Sequence, residues 1–97
     1  MNEFFADLGR RWVEAAKRRG VDIADPTLDS RVALELLELA RVAAHTQERR
    51  FAPLTSYTAG VAAERLRAGR PDLDDAAVAA FILEVREQID TGAGGGR

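Results

Sequence analysis

The chain has 97 residues, 46% of them hydrophobic and 31% charged, with a net charge of -2 and no cysteine. That length fits one domain with a modest core, burying roughly 60–65% of the surface its unfolded chain exposes, and the composition excludes a disordered polar tail. Without cysteine there is no disulfide framework, thiolate zinc site or cysteine nucleophile.

The spacing predicts a first helix over about Glu3 to Arg19. Phe5, Leu8, Trp12 and Ala15 or Ala16 recur three and four apart, and Gly20 falls where a left-handed cap belongs. Trp12 is therefore expected in the core, whereas Phe4 and Val13 widen the apolar surface into an end cap or a contact face. Val21 to Thr27 is a connection. Asp25-Pro26 offers an N-cap followed by a first helical position, and Asp29 offers a later start.

Helix two is expected to run to about Thr46 or Glu48. Val32, Leu36, Leu39 and Ala43 form one apolar line, and Ala33, Leu37, Ala40 and Ala44 form the adjacent one. Together they cover more than half the circumference, as a central helix requires. The wet edge carries Arg31, Glu35, Glu38, Arg41 or Val42, His45 and Arg49, with Glu38, Arg41 and His45 able to line one exposed face.

Pro53 disfavours a helical Ala52, so helix two should stop before it, and Pro53 can open helix three over about Leu54 to Ala68. Leu54, Thr58, Val61 and Arg65 share a line that Tyr57, Ala62 and Leu66 broaden. Gly60 inside this helix costs about 1 kcal/mol relative to alanine. Close approach by another helix is the expected compensation, with Ala59, Ala62 and Ala63 pointing the same way. Phe51 is expected to plug one end of the structure or to serve as an interface anchor.

Helix four is expected from Leu73–Ala76 to about Asp90, capped by Asp72 or Asp74, with Val78, Ile82, Val85 and Ile89 as its stripe. The expected fold is thus all-α: a compact four-helix bundle-like domain with short connections over residues 1–90. Residues 91–97 read as a flexible Gly-rich tail; with no strand before it and no helix after it, it is not a phosphate loop.

Charge alternates along the chain, +2 over residues 1–20, -3 over 21–46, +3 over 47–70 and -4 over 71–97. This suits basic helices pairing with acidic ones, within a molecule or across a homo-oligomer, and not the single dense basic stripe of a nucleic-acid binder. No window approaches the run of about 20 apolar residues that spans a bilayer. The N-terminus carries Glu3 and Asp7 and no apolar signal core, so the expected location is cytoplasmic.

His45 is the sole histidine, and it can titrate or coordinate near neutral pH. A metal site needs two or three further ligands, and Glu38 and Glu48 form no Glu-x-x-His unit with it, so no metal or cofactor is expected. A structural role at the helix-two terminus competes with a contact in a small-ligand cleft. Arg41, His45, Arg49 and Thr55 are the candidate ligand or anion contacts, since guanidinium groups, hydroxyls and a helix N-terminus fall within a few residues. The plain alternative is that Thr55 or Ser56 caps helix three, Arg49 is solvated and Arg50 pairs with a carboxylate. Ser30 and Ser56 lie in no nucleophile elbow, and an enzyme is not expected.

The stretch LLELARVAAH, Leu36 to His45, followed by RRFAPLTSYTAGVAA, Arg49 to Ala63, resembles a family of small helical domains of unknown function from actinobacteria. The resemblance rests on Trp12, Leu36, Leu37, Leu39, Ala40, Arg41, Ala44, His45, Ala52, Pro53, Leu54, Thr55 and Gly60, and covers about two-thirds of the chain. Thr46 and Gln47 depart from the small or apolar pair that follows the histidine in that family, and residues 64–97 extend beyond the shared part with a fourth helix. Such domains are sometimes attached to nucleotidyltransferase-like proteins resembling those that add guanylate to molybdopterin. The resemblance therefore implies an accessory or interaction domain linked to molybdenum-cofactor metabolism. Its partner would be a second copy or a nucleotidyltransferase-like protein, with Phe4, Val13 and Phe51 as candidate interface residues and Trp12, Pro53 and Gly60 as structural ones.

Overall fold

The computed structural model describes residues 3–92, and these contain four α-helices and no strand. The helices are α1 (Glu3–Lys17), α2 (Ser30–Thr46), α3 (Phe51–Gly69) and α4 (Asp75–Thr91). The all-α, four-helix class is the one expected. Residues 93–97, most of the expected tail, lie outside the described residues, and Thr91 closes α4 with Gly92 as its left-handed cap at φ 74°. The chain divides into two compact units, Met1–Ser30 and Arg31–Arg97.

In the first unit, α1 stops as its glycine dictates. Gly20 adopts φ +79°, its N–H donates to the Lys17 carbonyl and that of Val21 to Ala16, which closes the helix with a Schellman turn. Gly9 is the one buried residue of α1. A methyl group there would collide with Asp25 Oδ1 and lie 3.1 Å from the Pro26 carbonyl oxygen, so the Asp25–Pro26 segment packs directly on the α1 backbone. That packing turns Gly9, Val13 and Ala16 inward. Trp12, expected in the core, sits at the edge of this face and is 55% exposed.

In the second unit, Leu39 of α2, Ala63 of α3, and Val78 and Ile82 of α4 form one buried cluster. Val32, Leu36, Ala59, Phe81 and Ile89 pack around it. The predicted α4 stripe is therefore the core stripe, with Val85 at its exposed margin. Asp74 caps α4, its Oδ1 accepting from the Ala77 N–H at 2.9 Å. Arg67, on α3, pairs with Asp75 at the same end. Glu35, expected on the wet edge of α2, instead meets Arg86 of α4 at 3.4 Å, both side chains only 19% exposed.

Helix three begins earlier than Pro53 suggested. Phe51 and Ala52 are already helical, which places Pro53 in the first turn, where a missing N–H costs no helical bond. Gly60 lies on the outer side of α3 with no atom within 4 Å of where a Cβ would be. The close helix contact expected to compensate for it is not made within the described residues.

Candidate functional site

The α2–α3 junction is where the sequence pointed to a ligand, and its donors are already committed. The Phe51 N–H donates to the Glu48 carbonyl at 3.0 Å and the Ala52 N–H to Arg49 at 3.2 Å, while Pro53 has no N–H to give. A helix N-terminus binds anions through such groups, so this one has few to offer. Arg50 pairs with Glu48 at 2.9 Å, in line with the plain alternative. Thr55 and Ser56 lie beyond the first turn and cap nothing: Arg50 occupies the N-cap position without a side-chain hydrogen bond.

The four candidate contacts do not share one surface. Arg41 and His45 lie on the exposed side of α2, where Arg41 Nε and Nη2 donate to Glu38 Oε1 at 3.2 and 3.1 Å. The His45 and Arg49 side chains are exposed and make no ion pair among the described residues. Thr55 is half-buried and lines a cleft on the inner side of α3. The arrangement thus lacks the convergence of polar groups that fixes a small anionic ligand. Among the described residues, no three metal-ligating side chains gather either.

That cleft, about 300 Å³ in volume, lies between α2, α3 and α4, with Leu39, Ala59, Phe81, Ile82, Val85 and Ile89 in its walls. Its only hydroxyls are those of Thr55 and Thr58, and Thr58 already donates to the Thr55 carbonyl at 2.8 Å. Its walls suit an apolar group, and they hold no group able to transfer a proton at neutral pH.

The more informative surface is apolar and exposed. Leu34 and Leu37 of α2 are 59% and 69% exposed, and Leu54 and Tyr57 of α3 are 61% and 74% exposed. Leu37, expected in one of the apolar lines of helix two, and Tyr57, expected to broaden the apolar line of helix three, both point outward. Helical geometry explains the difference. The apolar residues of α2 and α3 run almost all the way round, so periodicity alone does not select the side that the neighbouring helices cover. Of the residues expected at an interface, Phe4 is exposed and stacks edge-to-face on Phe5 with centroids 5.0 Å apart, whereas Val13 and Phe51 are half-buried.

Two surface carboxyls have perturbed titration. A hydrogen bond from Arg11, then its charge, holds the Asp7 carboxyl below its ordinary value, and a hydrogen bond from Arg70 does the same for Asp72. Both pairs are remote in sequence from Arg41 and His45.

The sequence pattern of a family described as Domain of unknown function (DUF6457) matches residues 6–94. The match takes in α2, α3 and α4 whole and all but the first turn of α1, so the fourth helix is part of the family and not an extension of it. No curated protein and no solved structure matches the chain.

Proposed function

This chain belongs to the DUF6457 family, whose function is unknown, and we propose that it is a non-enzymatic accessory domain working through protein–protein contacts. The observation that carries this reading is the balance of apolar side chains. Among the described residues the buried ones larger than alanine are Leu39, Val42, Val78 and Ile82, whereas Phe4, Trp12, Leu34, Leu37, Leu54 and Tyr57 are each more than half exposed. Scattered single leucines on a surface are ordinary, but pairs one helical turn apart on two helices make patches that association would cover. The resemblance centred on Leu36 to Ala63 supplies the partner class. It is a second copy or a nucleotidyltransferase-like protein of molybdenum-cofactor metabolism, in the cytoplasm. Among the described residues no helix is long and apolar enough to cross a membrane.

The test is affinity capture of the tagged chain from its own cell extract, with ultracentrifugation of the purified protein alongside. The expected result is a stoichiometric partner, foreign or a second copy, that Leu37→Glu or Leu54→Glu releases while circular dichroism stays unchanged. A chain that is captured alone and sediments as a monomer overturns the proposal.

A further inference from the structure

The outer side of α3 carries a regular seam. Leu54, Tyr57, Val61, Glu64 and Ala68 follow one another at spacings of three, four, three and four, the pattern of a helix that packs along another helix. The seam spans about 21 Å of helix axis. Leu54 and Tyr57 are among the most exposed apolar side chains described, and shallow grooves flank the Val61 ridge. One, of about 490 Å³, runs past Gly60 and Glu64, and the other, of about 570 Å³, runs past Thr58 and Leu66. Gly60 adjoins the middle of the seam with open space above it, so another backbone can approach there. Glu64 and Arg65 make no ion pair among the described residues, unlike Arg67, which is held by Asp75.

We infer that α3 is the dimer helix of this chain, pairing antiparallel with α3 of a second copy about a two-fold axis at Val61. The seam itself selects the second copy and the direction. Parallel pairing sets Glu64 against Glu64 and Arg65 against Arg65, a like-charge contact at both positions. Antiparallel pairing about Val61 sets large Leu54 against small Ala68 of the second copy. It also sets the Tyr57 ring against Arg65 of the second copy, a cation–π contact that uses an otherwise unpaired guanidinium. Val61 meets its own copy on the axis, and Gly60 beside it lets the two backbones close. A two-fold interface must complement itself, and this stretch does so in size at Leu54 and Ala68 and through the Tyr57–Arg65 contact, while Glu64 faces the Thr58 hydroxyl of the second copy. The inference rests on the interaction-domain reading and names the partner and face.

The chain has no cysteine, which makes cross-linking a clean readout of this register. Oxidised Val61→Cys should form a disulfide-linked dimer, Leu54→Cys alone should not, and a mixture of Leu54→Cys with Ala68→Cys should. In sedimentation equilibrium of the full chain, Val61→Glu should weaken self-association at least about a hundredfold, because it places two carboxylates on the axis. Val61 is half-buried, so Tyr57→Ser, at a position 74% exposed, is the companion variant; it should weaken the dimer and leave helicity intact. A dimer that survives both substitutions, or cross-links equally from Leu54→Cys alone, overturns the register. A monomeric wild type that still binds a foreign partner overturns the second-copy inference and leaves the interaction-domain reading standing. A monomer that binds nothing overturns both.

Discussion

The outer sides of α2 and α3 are both apolar and both exposed, yet they are built differently. On α2, Leu34 and Leu37 stand beside Glu38 and Arg41, whose charges satisfy each other at 3.1 Å within the same helix. On α3, Leu54, Tyr57 and Val61 continue into Glu64 and Arg65, which are not paired within the described residues, and Gly60 leaves room at the centre. Exposed leucine is common to the two. Of the two outer sides, only that of α3 has Glu64 and Arg65 without an ion pair and a glycine, Gly60, facing open space among the described residues. An exposed pair such as Glu38–Arg41 is worth little to folding and neither blocks nor orients a partner, whereas the unmatched charges of α3 can set the direction of one.

The comparison requires that the inner side of the same unit, and not either outer side, holds the fold. Ile82→Ala removes three carbons from the buried cluster with Leu39, Ala63 and Val78, and should cost about 2–5 kcal/mol, read as a fall in the denaturant midpoint. Leu37→Ala and Leu54→Ala, at sites more than 60% exposed, should change stability by no more than about 0.5 kcal/mol. If an outer substitution matched Ile82→Ala, the outer sides would belong to the fold, and neither would be a contact surface.

Much of this architecture is legible in the amino-acid sequence. Gly20 as the end of α1, Asp74 as the cap of α4, and Val78 with Ile82 as core follow from residues whose physics leaves one reading. The orientation of α1 is not legible, because the residue that fixes it is Gly9. A glycine contributes nothing to hydrophobic periodicity, and its role depends on Asp25 and Pro26 lying against it, a contact between segments well separated in sequence. The sides of α2 and α3 are hidden for the opposite reason, since apolar residues occur nearly all round both helices. Arg41, His45, Arg49 and Thr55 form a cluster only by nearness in sequence; Thr55 lies on the inner side of its helix, away from the exposed face of Arg41 and His45.

Gly60 gives the sharpest division between the two outer sides, because one substitution should act with opposite signs on folding and association. Alanine there meets no neighbouring atom within 4 Å, so in dilute protein it should raise stability by about 0.5–1 kcal/mol through better helix propensity. The same methyl group, beside the proposed axis, holds two α3 backbones apart and should weaken self-association in ultracentrifugation. A variant that is both more stable and more strongly dimeric would show that the gap is not used.

The smallest effect concerns charges that have found partners in their own chain. Asp7, held by Arg11 and Arg10 on α1, and Asp72, held by Arg70 just past α3, each have a carboxyl below the ordinary value of 3.8. A carboxyl lowered in the folded state stabilises it fully above the unfolded value, and the contribution disappears as pH falls through the lower folded value. Helicity followed from about pH 5 to about pH 2 should therefore fall less steeply in Asp7→Asn than in the wild type, since the variant has already lost that contribution. Both pairs lie at the surface, so the difference should shrink further in salt. The Val61 contact should respond to the same salt only weakly, because its seam is mostly apolar and its charged members are not an ion pair: Arg65 stacks on Tyr57 and Glu64 faces Thr58. Self-association that collapsed in salt would instead mark α3 as an ionic surface, and the distinction from α2 would then rest on charge alone.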